Sequence, residues 1–138
     1  MVDKTAVAQQ FIEAVPYAHA LGLTVDDIRG GVAIMSLPWS EHIVGDPEKG
    51  TVHGGALSAA MDTCCGAAVM SHPASPALTA TIDLRIDYMR AATTGQTIVT
   101  TATCYHVGRN VAFVRAVATD DDLENPVAMA TGAFTVER

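Results

Sequence analysis

The stretch Thr51 to Met70, TVHGGALSAAMDTCCGAAVM, constrains the fold more than any other part of the chain. Two glycines follow His53 and lead into a run of small apolar residues. Ala56, Leu57, Ala59, Ala60, Met61, Cys64, Cys65, Ala67, Ala68 and Val69 cover nearly every face of a helix. A helix that is apolar all round belongs inside a protein. From Gly54 to Met70 it would be about 25 Å long. That is short for a bilayer span, and Asp62 sits in its middle, so it reads as a core helix. Its small side chains imply that other backbone packs close against it.

The start of this helix admits two readings. Gly54 and Gly55 leave backbone N–H groups open where the helix dipole is positive, which suits an oxygen gaining negative charge in acyl transfer. Alternatively, the glycines only make a tight turn. Asp62 sharpens the question. A carboxylate in an apolar helix is costly unless it is paired, hydrogen-bonded or functional. The plain alternative is a structural Asp bonded to a helix end or to Ser58. Gly54 and Asp62 lie eight residues apart, roughly 12 Å along one helix. A reacting carbonyl must sit about 3 Å from both donor and nucleophile. One copy of the helix therefore cannot hold a complete site. Two antiparallel copies about a two-fold axis can bring Gly54 of one to Asp62 of the other. An active site here is expected to be shared between subunits.

At 138 residues a single domain spanning 1–138 is expected. The net charge of −7 argues against a nucleic-acid or anionic-membrane surface, so a polyanionic ligand must be met by local Arg and Lys. Cys64, Cys65 and Cys104 are odd in number and form no CxxC pair. Neither a disulfide framework nor a zinc site is indicated, and the cysteines fit the core of a cytoplasmic protein. The start of the chain, MVDKTAVAQQF, lacks the apolar run of a signal peptide.

The remaining elements follow from periodicity. Ala8, Phe11, Ile12 and Val15 predict an amphipathic helix over Thr5–Val15, ended by Pro16. Tyr17–Ile28 reads as a loop leading into a strand near Leu23. Arg29-Gly30-Gly31 is a turn before a strand at Val32–Leu37. Ser40–Gly50 is a loop carrying His42, Asp46, Glu48 and Lys49, either solvated or covering a site. His72 to Pro76 breaks the chain after the helix. Thr79–Tyr88 alternates, with Ala80, Ile82, Leu84, Ile86 and Tyr88 on one face and Thr79, Thr81, Asp83, Arg85 and Asp87 on the other. Gln96–Val107 and Val111–Thr119 form a hairpin about Gly108-Arg109-Asn110. Asp120–Pro126 is an acidic loop, and Val127–Val136 the last strand. The tight turns imply antiparallel pairing. The fold class is α+β, a sheet of about six strands wrapped around the buried helix.

These residues resemble the hotdog-fold acyl-CoA thioesterases, specifically the phenylacetate-pathway (PaaI-like) branch of the 4-hydroxybenzoyl-CoA thioesterase superfamily. The resemblance runs from about Tyr17 to Val136. It rests on Gly50-Thr51-Val52-His53-Gly54-Gly55, then Asp62 and Gly66, with Thr81-Ile82-Asp83-Leu84 through Tyr88-Met89-Arg90 downstream. It implies hydrolysis of an acyl- or aryl-CoA thioester at a site shared across a dimer. Gly54 would donate its N–H to the thioester oxygen, beside Gly55. Asp62 of the partner subunit would be nucleophile or general base. Thr81 would help position water, and His53 would orient the turn or contact the carbonyl region. Dimers paired into tetramers are expected, with coenzyme A as part of the substrate and no other cofactor or metal. Relatives often have an Asn about six residues before the His. Pro47 stands there, with Asp46 beside it, and an ionised Asp accepts but cannot donate as an amide does. Arg90 and Arg109 are the expected partners of the CoA phosphates. A hotdog hydratase using His53 with Asp62, and a non-catalytic acyl-CoA-binding module, are the competing readings. Aryl and medium-chain acyl groups both stay open.

Overall fold

In the computed structural model, which describes residues 3–75 and 78–137, the long apolar stretch is a helix from Gly54 to Ser71 (α3). Two helices precede it. α1 (Lys4–Glu13) is capped by Asp3, whose carboxylate accepts from the Thr5 and Ala6 amides. α2 (Pro16–Leu21) starts on the proline and ends at Gly22, which adopts the left-handed conformation at φ 77°. This second helix occupies part of the segment expected to be a loop. Six residues carry too little periodicity to show in the sequence.

A six-stranded antiparallel sheet is built from β1 (Thr24–Arg29), β2 (Val32–Leu37), β5 (Thr81–Tyr88), β6 (Ile98–Val107), β7 (Val111–Thr119) and β8 (Ala128–Thr135). Its order is β1-β2-β6-β7-β8-β5. Gly30 and Gly31, both at positive φ, close the β1–β2 hairpin. Within the expected loop, β3 (Val44–Asp46) and β4 (Thr51–Val52) pair as a small separate ribbon. That ribbon delivers the chain to His53. The breaker after α3 holds through Ser75, and Pro76 lies outside the described residues.

α3 packs across β2, β6 and β7. Phe134, Met35, Leu37, Met61, Ile98 and Val69 are among the largest fully buried side chains. The helix is not buried on every side, as its composition suggested. Ser58, Ala59, Asp62, Thr63 and Gly66 form a half-exposed stripe at helical spacing. The sheet and α1 pack against the rest of the helix. Among the described residues no helix is long and apolar enough to cross a membrane.

The alternation expected along Thr79–Tyr88 breaks in the middle. Thr81 pairs with Phe134 and Asp83 with Ala133, which leaves Ile82 as an unpaired extra residue. Such a bulge shifts the facing of the strand by one residue. Leu84 and Ile86 pack on the core, as expected. Ile82 is instead 55% exposed, and Thr81 turns toward α3. The placement of Ile82 with the core face and of Thr81 on the opposite face is thus corrected.

Candidate active site

The turn into α3 is fixed by side chains on both sides of the Gly54–Gly55 peptide. His53 is the N-cap, and its Nδ1 accepts from the Gly55 amide at 2.7 Å. An acceptor Nδ1 places the proton of the neutral ring on Nε2. The Tyr88 hydroxyl donates to the Gly54 carbonyl at 3.2 Å. The Ala56 and Leu57 amides both donate to the His53 carbonyl. Gly55 is therefore not an open donor, and its missing side chain makes room for the His53 ring: a Cβ there would lie 2.8 Å from Nδ1. Among the described residues, the Gly54 amide alone of these first four has no acceptor. It borders a cavity of about 260 Å³ with Val52, Leu57, Tyr88, Met89, Arg90, Ile98 and Val127. Tyr88 was not singled out in the sequence. Its partner is a backbone carbonyl thirty-four residues away, and no local motif marks such a contact.

Asp62 is half-buried on the open stripe of α3. Thr81 Oγ1 donates to its Oδ1 at 2.6 Å. Ser58 does not serve it, because the Ser58 hydroxyl donates to the Gly55 carbonyl. Asp62 and Thr81 open on a second cavity, of about 150 Å³, walled by Phe11, Ile12, Val15, Gly66, Met70 and Phe134. The two cavities share no lining residue. One chain thus presents an open backbone N–H in one cleft and a carboxylate in another, a little over two helical turns apart.

The cysteines beside Asp62 are not nucleophiles. Burial pushes the Cys64 thiol up to about 12 and raises Cys65 further. The Cys64 thiol donates to the carbonyls of Ala33 and Thr100. Both are protonated core residues.

Arg90 does not stand open to a phosphate. Its Nη1 and Nη2 fork onto Asp120, with the shortest contact at 2.6 Å. Nε and Nη2 also donate to the Asn125 carbonyl, and Nη1 to that of Ala91. All five guanidinium N–H groups are committed. The Arg90 guanidinium, aided by the Thr93 and Asp122 amides, holds the buried Asp120 carboxyl far below the usual carboxylate range. The geometry gives Arg90 a structural task, binding the acidic loop to the end of β5 at the border of the Gly54 cavity. Arg109 is exposed in the β6–β7 turn. Asp46 accepts from the Glu48 and Lys49 amides and so shapes the β3–β4 turn before His53.

With this geometry in view, comparison with known proteins is direct. The sequence profile described as the thioesterase superfamily matches residues 49–127. The chain belongs to the thioesterase superfamily. The match contains His53, Gly54, Asp62, Thr81 and Tyr88. A Halobacterium salinarum protein whose name includes the word esterase is 31% identical, over 99% of this chain and 94% of its own. The medium/long-chain acyl-CoA thioesterase YigI of Salmonella typhimurium is 26% identical, over 94% of this chain and 91% of its own. A crystal structure of a Pseudomonas aeruginosa protein superposes with a TM-score of 0.84 at 39% identity, covering 96% of this chain and 98% of that one. PaaI of Escherichia coli, from the phenylacetic acid degradation operon, has the same fold, with a TM-score of 0.85 at 20% identity over 99% and 94% of the chains. This thioesterase-superfamily chain is a thioester hydrolase with the hotdog fold, an antiparallel sheet around a central helix.

Proposed function

We propose that the protein hydrolyses acyl-CoA thioesters to free acid and coenzyme A at a site made by two subunits. The observation that carries this reading is the separation of the two halves of the chemistry. Gly54 holds an open N–H in one cleft, and the Thr81–Asp62 pair stands in another. Neither cleft alone has both an oxyanion donor and a base. β5 is an edge strand of eight residues, with Ile82 and Tyr88 exposed beside the half-exposed stripe of α3. A second chain added antiparallel along this edge sets the two α3 helices side by side in opposite directions. Gly54 of the partner subunit then faces Asp62. A dimer of such dimers agrees with the apolar outer face of the sheet, where Phe113 and Met129 are exposed.

In the reaction, the Gly54 N–H stabilises the oxyanion as the tetrahedral intermediate forms. Asp62 either takes a proton from the attacking water or attacks the thioester carbon itself. Collapse of the intermediate breaks the C–S bond and releases CoA as the thiol, and in the second case water then hydrolyses the anhydride left on Asp62. Thr81 fixes the Asp62 carboxylate and helps place that water. His53 and Tyr88 hold the Gly54–Gly55 peptide in position. Acyl-CoA as the substrate is supported by the acyl-CoA thioesterase relatives, with Arg109 as the candidate cation for the CoA phosphates. The three free cysteines fit a cytoplasmic setting. Within one chain His53 bonds Gly55 and Asp62 bonds Thr81, so the His53–Asp62 pair of the hydratase reading would have to form between subunits. Release of free thiol from acyl-CoA tests the proposal. Hydration of enoyl-CoA without thiol release would favour the hydratase instead.

A further inference from the structure

Gly66 stands where nothing in the chain's own packing asks for a glycine. It lies one helical turn beyond Asp62, well inside α3, and its φ is not in the left-handed region. A Cβ built there meets nothing closer than 3.9 Å, at Phe134 Cε2 and Thr79 Cγ2. An alanine would fit at ordinary contact and would favour the helix more. The space left by the missing side chain opens into the cleft below Asp62 and Thr81. Phe11, Ile12, Val15, Met70 and Phe134 wall that cleft, and among the described residues Asp62 is its only ionisable lining residue. Its volume is about 150 Å³, comparable to an apolar cavity that holds one benzene ring.

We propose that this cleft receives the acyl group of the thioester, that the group is uncharged and apolar, and that Gly66 sets how deep it reaches. The inference rests on the thioesterase reading above. A phenyl ring or the first five or six carbons of an alkyl chain, roughly, fill such a space. An acyl group ending in a carboxylate would bring a second negative charge beside Asp62, with no cation among the described lining residues to meet it. A side chain at position 66 would occupy the volume of the far end of the ligand and leave the reacting carbonyl untouched.

The test is kcat/KM on the CoA thioesters of acetate, propionate, hexanoate, phenylacetate and succinate, for the wild type, Gly66→Ala and Gly66→Leu, with melting temperatures alongside. The wild type is expected to favour hexanoyl- and phenylacetyl-CoA over succinyl-CoA. Gly66→Ala should melt no lower than wild type. Both variants should lose about tenfold or more on the hexanoyl and phenylacetyl substrates and change less than about threefold on acetyl and propionyl. The alanine variant carries the test if the leucine variant does not fold. An equal loss across the panel, no loss at all, or a wild-type preference for succinyl-CoA overturns the proposal while leaving the thioesterase reading standing. A wild type that releases thiol from none of the five overturns both.

Discussion

Thr81 Oγ1 donates a 2.6 Å hydrogen bond to Asp62 Oδ1, joining the edge strand β5 to the open stripe of α3. The bulge at Ile82 makes this contact possible, because it turns Thr81 toward the helix while Leu84 and Ile86 stay in the core. Thr81→Val keeps the shape and removes the donor. We expect kcat to fall about tenfold, the scale of one hydrogen bond to a charged group. Thr81→Ser should restore most of it. Steady-state kinetics on one acyl-CoA, with the three proteins compared at equal melting behaviour, checks this.

That contact also shows what the sequence could and could not disclose. The buried helix, its Asp62, the His53-Gly54-Gly55 turn and the six strands were legible because each leaves a local pattern of small residues, breakers or alternation. The bulge leaves none: Thr81-Ile82-Asp83 alternates as a regular strand does. α2 and the β3–β4 ribbon are too short to show a period. The fork of Arg90 on Asp120 joins positions thirty residues apart, and an exposed-looking Arg near a turn carries no mark of its partner. The same holds for Tyr88, whose value to the site depends on a backbone carbonyl of α3. Pairwise geometry across the fold lies beyond periodicity, and that is where the sequence reading stopped.

Gly54→Pro removes the N–H and puts the ring Cδ where that N–H pointed. Gly54 is the first residue of α3, where proline is well tolerated. His53 before it already has the extended ψ of 133° that a following proline requires. A Cβ at Gly54 meets Tyr88 at an ordinary 3.6 Å. The variant should fold and melt near the wild-type temperature. Its kcat should fall by at least roughly 10²–10³-fold, the usual loss for one oxyanion donor, because the ring also crowds the place of the oxyanion. Full activity in the folded variant would show that this amide does not serve the reaction.

The Arg90–Asp120 pair predicts a pH-dependent stability. The carboxyl of Asp120 is held below its unfolded value of 3.8, first by Arg90. A depressed folded-state pKa contributes stability above the unfolded pKa, and that contribution is lost as pH falls below it. Asp120→Asn should therefore lower the melting temperature most between about pH 6 and 7, and the gap to wild type should narrow below about pH 4. Thermal melts of both proteins across that range measure it. A gap independent of pH would mean the pair contributes through packing alone.

The cations can be told apart by substrate truncation. Arg109→Ala should raise KM for acyl-CoA more than for the matching N-acetylcysteamine thioester, which lacks the phosphates. Arg90→Lys should instead lower the melting temperature and shift both KM values alike, because a lysine cannot reproduce the five-donor fork. A CoA-selective effect at Arg90 would return it to the phosphate site.

The central claim is that Gly54 and Asp62 of different chains form one site, and mixing two inactive variants tests it most directly. Asp62→Asn keeps Gly54, and Gly54→Pro keeps Asp62. If the site is shared, a dimer of one chain of each holds one intact site and one doubly defective site. If it lies within one chain, every site is defective. The two purified variants are unfolded together, refolded together at equal amounts, and assayed for thiol release. Random pairing makes half of the dimers mixed, so the account predicts recovery of about a quarter of the wild-type rate per chain from two proteins that are each nearly inactive. A mixture that refolds as dimers and stays as inactive as its components would contradict it.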